Sequence, residues 1–171
     1  MSSRPVVLSA LVLLSGCDLF SSVTVPASDN VSPTAIASVW IESSYEATSS
    51  GASPLSYTVT DPDKTHMAIG AIMDAGGAHS VAISAELVLD CDLGGIAQRQ
   101  YLTYAPISQT QSGSVGDTVD NGVYTAHGIR FSSLSCTSGT LTQARFTWNV
   151  SGEDLHGNSA SHNGAEMVYI P

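Results

Sequence analysis

Positive charge is scarce in this sequence: five Lys and Arg stand against 15 Asp and Glu, giving a formal net charge of −10 at pH 7. Binding a nucleic-acid backbone or an anionic headgroup layer takes a basic stripe or patch. Lys64, Arg99, Arg130 and Arg145, scattered along the body of the chain, make neither, so no nucleic-acid partner is expected. Leucine, lysine and glutamate are also sparse while serine, threonine and glycine abound, which disfavours long helices and suits short strands joined by turns. No internal repeat of solenoid period is present. Only three cysteines occur, and aromatic residues make up 6% of the chain. The one long apolar run, Pro5 to Leu14, covers about ten residues, too few for the roughly 20 that a membrane-spanning helix needs.

That run has a different use. Arg4 precedes it, and small Ser15 and Gly16 follow it before Cys17, the layout of a charged n-region, an apolar h-region and a processing site. With Leu14 three positions before the cysteine, Leu14-Ser15-Gly16-Cys17 resembles the lipobox that closes the signal peptide of bacterial lipoproteins. The resemblance implies a diacylglyceryl thioether on Cys17, removal of residues 1 to 16 and often acylation of the new amine. The partner it implies is a membrane, reached through the lipid on Cys17, with the domain on the periplasmic or extracellular side of the inner or outer membrane. In enterobacterial lipoproteins an aspartate after the cysteine, here Asp18, favours retention at the inner membrane. An ordinary signal peptide cut nearby, or an apolar first strand of a cytosolic protein, are the alternatives. Two or three acyl chains give stable anchoring, since each buried methylene contributes about 0.8 kcal/mol. Loss of Arg4 with the signal segment takes the net charge from −10 to −11.

With Cys17 assigned to lipid, Cys91 and Cys136 remain as a pair in an oxidising compartment, where a disulfide persists; two buried free thiols are the alternative. Residues 17–32 are small and polar, punctuated by Pro26, and read as a lipidated cysteine followed by a flexible tether, spanning roughly 20 Å as a coil. The remainder, 33–171, suits one domain.

Its apolar period is two. From Ser80 to Leu93 the odd positions Val81, Ile83, Ala85, Leu87, Leu89, Cys91 and Leu93 are apolar, which marks a strand with one buried face. From Gln143 to Ser151 the even positions Ala144, Phe146, Trp148 and Val150 form a second inward stripe. Weaker strands fit 36–45, 55–60, 67–73, 99–104, 123–136 with a kink near Ser132 and Ser133, and 165–170. Breakers separate them at Asp61-Pro62-Asp63, Gly76-Gly77, Gly94-Gly95, Asp120-Asn121-Gly122, Ser138-Gly139 and Gly157-Asn158. The polar stretch from Ala105 to Gly122 reads as a long loop. The expected fold is all-β, a single antiparallel β-sandwich with a barrel as the rival.

The run from Phe146 through Asp154 to Gly157-Asn158 resembles the penultimate strand and hairpin of bacterial immunoglobulin-like repeats, where a strand ends in Asp, two variable residues and Gly-Asn. The resemblance implies an immunoglobulin-like sandwich. The cysteines and tryptophans do not follow the antibody order, because Trp148 comes after both Cys91 and Cys136.

Chemistry-bearing residues are few. Asp61 and Asp63, with His66 nearby, offer oxygens to a calcium ion or simply cap a proline turn. Asp154, His156 and His162 fall in one hairpin and offer a carboxylate and two imidazoles to zinc or copper, or face water. Asp90 and Asp92 fit a solvated strand face. The string Gly113-Ser114-Val115-Gly116 lacks the Gly-x-Ser-x-Gly spacing of a nucleophile elbow. Of the aromatics, Trp40 is the one to weigh for stacking on a sugar, with Tyr101 and Tyr104 behind it. No catalytic activity and no cofactor are expected. The reading is a lipid-anchored, non-catalytic envelope module that binds an unknown envelope protein or glycan; a carbohydrate-binding module, or an atypical hydrolase built on Asp154, His156 and His162, is the alternative.

Overall fold

A computed structural model of the protein describes residues 21–42, 44–47 and 55–169. Arg4, the apolar run and the Leu14-to-Cys17 sequence lie outside the described residues.

The described chain is almost entirely strand. In order it forms β1 (Ser22–Thr24), β2 (Thr34–Ile41), β3 (Ser44–Ala47), β4 (Leu55–Thr58), β5 (Thr65–Met73), β6 (Ala78–Asp92), β7 (Ala97–Thr110), β8 (Thr118–Asp120), β9 (Gly122–Arg130), β10 (Thr140–Asp154) and β11 (Ser159–Tyr169). A single 3-10 turn at Phe131–Ser133 follows β9. One sheet has five strands in the order β4-β11-β10-β6-β7, the other has four in the order β3-β2-β5-β9, and β1 pairs with β8. All pairings are antiparallel except β4 beside β11.

The larger sheets face each other across one core, a sandwich-like arrangement. The two alternating stripes carry it: Val81, Ile83, Ala85, Leu87, Leu89 and Cys91 of β6 and Ala144, Phe146, Trp148 and Val150 of β10 are all buried. Val39 and Ile41 of β2, Ala68 and Ile72 of β5, and Val123 and Ile129 of β9 meet them from the other side. Phe146 stacks on Trp148 at 5.5 Å, and Phe131 stands edge-on to Phe146 at 5.5 Å. Fully burying side chains of this kind stabilises by roughly 1.5–3 kcal/mol each. Glycine lets the sheets approach at Gly70, since a Cβ there would stand 2.9 Å from the Val150 side chain.

Five expectations are corrected. The expected strand over 36–45 is broken into β2 and β3, because Glu42 takes a left-handed backbone (φ 47) and turns the chain into a hairpin with Ile41 opposite Ser44. Its carboxylate accepts hydrogen bonds from the Thr60 N–H and hydroxyl, the Asp61 N–H and the Tyr57 hydroxyl. Burial pushes the Glu42 carboxyl up, yet these donors hold it at about 2. The expected strand over 123–136 ends at Arg130, where the 3-10 turn takes over. Leu93 does not extend the inward stripe: β6 stops at Asp92 and Leu93 is 43% exposed. The polar stretch 105–122 is not one long loop, because β7 runs to Thr110 and β8 occupies Thr118–Asp120. The segment expected as a flexible tether is docked from Ser22 onward. There β1 pairs with β8, Val25 exchanges backbone hydrogen bonds with Asp117 and Gly116, and Val25 and Val119 are buried.

Cys91, at the end of β6, and Cys136, in the loop before β10, stand at disulfide distance with their Cα atoms 6.1 Å apart. Among the described residues no helix is long and apolar enough to cross a membrane.

Candidate functional site

Three chain segments converge at one end of the sandwich: the stretch between β1 and β2, the β5–β6 turn and the β10–β11 hairpin. The hairpin turn is organised by Asp154, which is 1% exposed. Its Oδ1 accepts the N–H groups of His156 and Asn158, both at 2.8 Å, and its Oδ2 accepts the Asn158 side-chain amide at 2.7 Å. Aspartate is the short acceptor that such a turn requires, and Gly157 supplies the left-handed residue (φ 84) beyond it. The Leu155 N–H donates to the Gly77 carbonyl at 3.0 Å, which ties this turn to the β5–β6 turn.

In the β5–β6 turn, buried Asp74 accepts the Gly76 N–H at 2.8 Å. Burial raises the Asp74 carboxyl above its ordinary value and the nearby charges of Asp29 and Asp154 add to the rise, against the Gly76 hydrogen bond and His156, which lower it. Asp29 arrives from between β1 and β2, with its Oδ1 accepting the Val31 N–H at 2.8 Å and its carbonyl accepting the Asn158 amide at 3.2 Å. The Asp29 carboxylate packs directly over Gly76. A Cβ on Gly76 would stand 2.1 Å from Asp29 Oδ2 and 3.0 Å from Asp74 Oδ2, so only glycine permits both carboxylates there.

His156 completes the group. Its Nε2 lies 3.0 Å from the Pro26 carbonyl oxygen, and its Nδ1 is shut off from solvent with no hydrogen-bond partner among the described residues. One ligand atom each from Asp29, Asp154 and His156 lies within 4.8 Å of the others.

Of the residues singled out in the sequence, Asp154 and His156 are brought together, and His162 is not part of their group. It lies on β11 opposite Val150, with a buried Nε2. Asp154 spends its oxygens on turn amides, and its bond to His156 goes to the backbone N–H rather than the ring, so the pair is not arranged as an Asp–His catalytic dyad. Asp61 caps its own proline turn by accepting the Asp63 N–H at 3.1 Å and lies 3.9 Å from Lys64 Nζ, while Asp63 is exposed. His66 is in the core against Phe131, at 4.3 Å between ring centres. Asp90 pairs with Arg99 at 3.0 Å and Asp92 accepts the Gly95 N–H, as a solvated face and a hairpin cap. Trp148 is core, Tyr104 turns inward against His127, and Tyr101 is 64% exposed. Trp40 is half-buried on the outer face of β2, opposite Met67.

Sequence reasoning missed Asp29 and Asp74. Each sits in a short turn-like string that reads locally as punctuation, and only strand order brings them to Asp154. No protein-family model matches the chain, and no curated protein matches it.

Proposed function

We propose that the chain is a lipid-anchored, non-catalytic module of a bacterial cell envelope, built on an immunoglobulin-like sandwich and serving to bind a protein or glycan partner or to help an assembly. The observation that carries this reading is the run Leu14-Ser15-Gly16-Cys17 behind an apolar segment with Arg4 at its start. On this reading Cys17 bears the lipid, the domain is displayed outside the cytoplasm, and the oxidising compartment keeps Cys91 and Cys136 bridged.

Strand order supports the immunoglobulin-like part. Strands β6, β10 and β11 lie side by side as C, F and G do in such domains, with β7 in the place of C′, and β2, β5 and β9 lie as A, B and E. The hairpin carrying Asp154, Gly157 and Asn158 joins the last two strands, where the resemblance puts it. The cysteine pair departs from the antibody pattern, since it joins the end of β6 to the loop before β10 rather than linking the two strands at the B and F positions.

The test is metabolic labelling of producing cells with an alkyne fatty acid, comparing the wild-type chain with Cys17→Ser. Label on the wild type alone is the expected result. Label retained by Cys17→Ser overturns the anchor and with it the compartment.

A further inference from the structure

We propose that Asp29, Asp154 and His156 form a binding site for a divalent first-row transition ion of the zinc or manganese kind, which fastens the segment between β1 and β2 to the β10–β11 hairpin. The proposal stands on the geometry of the domain and is independent of the lipid anchor.

Two observations point to a metal. The first is the state of the His156 ring. A carbonyl oxygen only accepts, so the contact with the Pro26 carbonyl at 3.0 Å puts a hydrogen on Nε2, and in the neutral ring the lone pair is then on Nδ1. That Nδ1 is closed to solvent and has no partner among the described residues. A histidine whose second nitrogen is held by a backbone carbonyl is the arrangement that orients an imidazole toward a metal. The second is the crowding of carboxylates over Gly76. The Asp29 and Asp74 carboxylates converge over a residue that has no side chain, and any Cβ would fill the cradle they share. Among the described residues the ion pairs are Lys64 with Asp61 and Arg99 with Asp90, both elsewhere, so no side-chain cation balances the three acids.

The donor set selects the ion. Carboxylates alone suit calcium or magnesium, whereas an imidazole nitrogen among them favours zinc, manganese and their neighbours. Ligand atoms 2.0–2.2 Å from zinc stand roughly 3.5 Å apart. The three residues each offer a ligand atom within 4.8 Å of the others, so an ion held at that spacing would draw them closer together. Asp154 keeps its turn hydrogen bonds and offers a remaining lone pair. Asp74 stands next to Asp29 and contributes charge from just outside the ligand set.

The experiment is titration of the purified full chain, metal-stripped beforehand, with zinc, manganese and calcium chlorides in separate runs, read by calorimetry and by melting temperature. The expected result is zinc or manganese binding with a dissociation constant of micromolar or tighter and a rise of several degrees in melting temperature, with calcium at least tenfold weaker. Because Asp154 holds the hairpin together, the variants are Asp29→Asn, which retains an acceptor for the Val31 N–H, and His156→Ala. Each loses at least tenfold in affinity while melting, without metal, within a few degrees of the wild type. Asp63→Asn, on a distant turn, binds as the wild type does. Cobalt, substituted for zinc, shows visible absorption bands that His156→Ala alters. Absence of any zinc or manganese binding, binding undiminished in both site variants, or calcium binding tighter than either overturns the proposal.

Discussion

His66 is fully buried against the ring of Phe131, and neither of its ring nitrogens has a hydrogen-bond partner among the described residues. Burial holds its pKa down from 6.5 to about 4, although the Glu42 carboxylate pulls the other way. The unfolded chain therefore takes up a proton near pH 6.5 that the folded one refuses until about pH 4, so this group subtracts stability as pH falls through that window and no more below it. A shift of that size corresponds to at most about 3 kcal/mol. His66→Leu is expected to flatten the fall in urea midpoint between pH 7 and pH 5, and equal slopes for the two proteins refute the assignment. Glu42 works in the opposite part of the scale: its carboxyl, held at about 2 against an ordinary 4.5, contributes stability above pH 4.5 that is lost as pH falls toward 2. Comparing His66→Leu above pH 5 keeps the two apart.

Among the elements, β6 and β10 were legible from alternation alone, because each is a long strand with one face on the core and one in solvent. The breaks were harder to read. Nothing in the composition of Glu42 announces a left-handed residue; the position is stabilised by hydrogen bonds from Tyr57, Thr60 and Asp61, which lie on a different part of the chain. Strand β1 was missed because three residues of mixed character carry no period, and its pairing with β8 spans most of the domain in sequence. Its removal has a calculable cost. Deleting residues through Val25 leaves β8 without a partner and uncovers Val119, with two buried valines at stake. Side chains of that kind contribute about 1.5 kcal/mol or more each, so the truncated domain should lose roughly 3 kcal/mol. A urea midpoint unchanged from the chain beginning at Cys17 shows β1 to be ornamental.

Across the whole molecule, Cys91 and Cys136 fasten a crossing between layers: the chain leaves β9 in the four-stranded sheet, passes Cys136 and enters β10 in the five-stranded sheet, where β6 ends at Cys91. With a sequence separation of 45, a bridge contributes about 4 kcal/mol in the chain-entropy model. Reduction is thus expected to lower the urea midpoint without abolishing the strand signal in circular dichroism, and an identical midpoint in reductant counts against a closed bridge. The pairing was readable by elimination, the fold class by period and turn chemistry. The convergence of Asp29 and Asp74 on Asp154 was not, because no local spacing encodes which loops share one end of a sandwich.

The docking of β1 also sets a distance. If Cys17 is embedded by its lipid, just Asp18, Leu19 and Phe20 separate it from Ser21, and that much chain reaches no more than about 14 Å fully drawn out. A globule carrying eleven surplus negative charges once Arg4 is lost would then ride low over the bilayer rather than on a long stalk, held by its acyl chains against electrostatic lift from anionic lipids. Its clearance would grow or shrink with ionic strength, and any protein or glycan it meets would have to come down to that height.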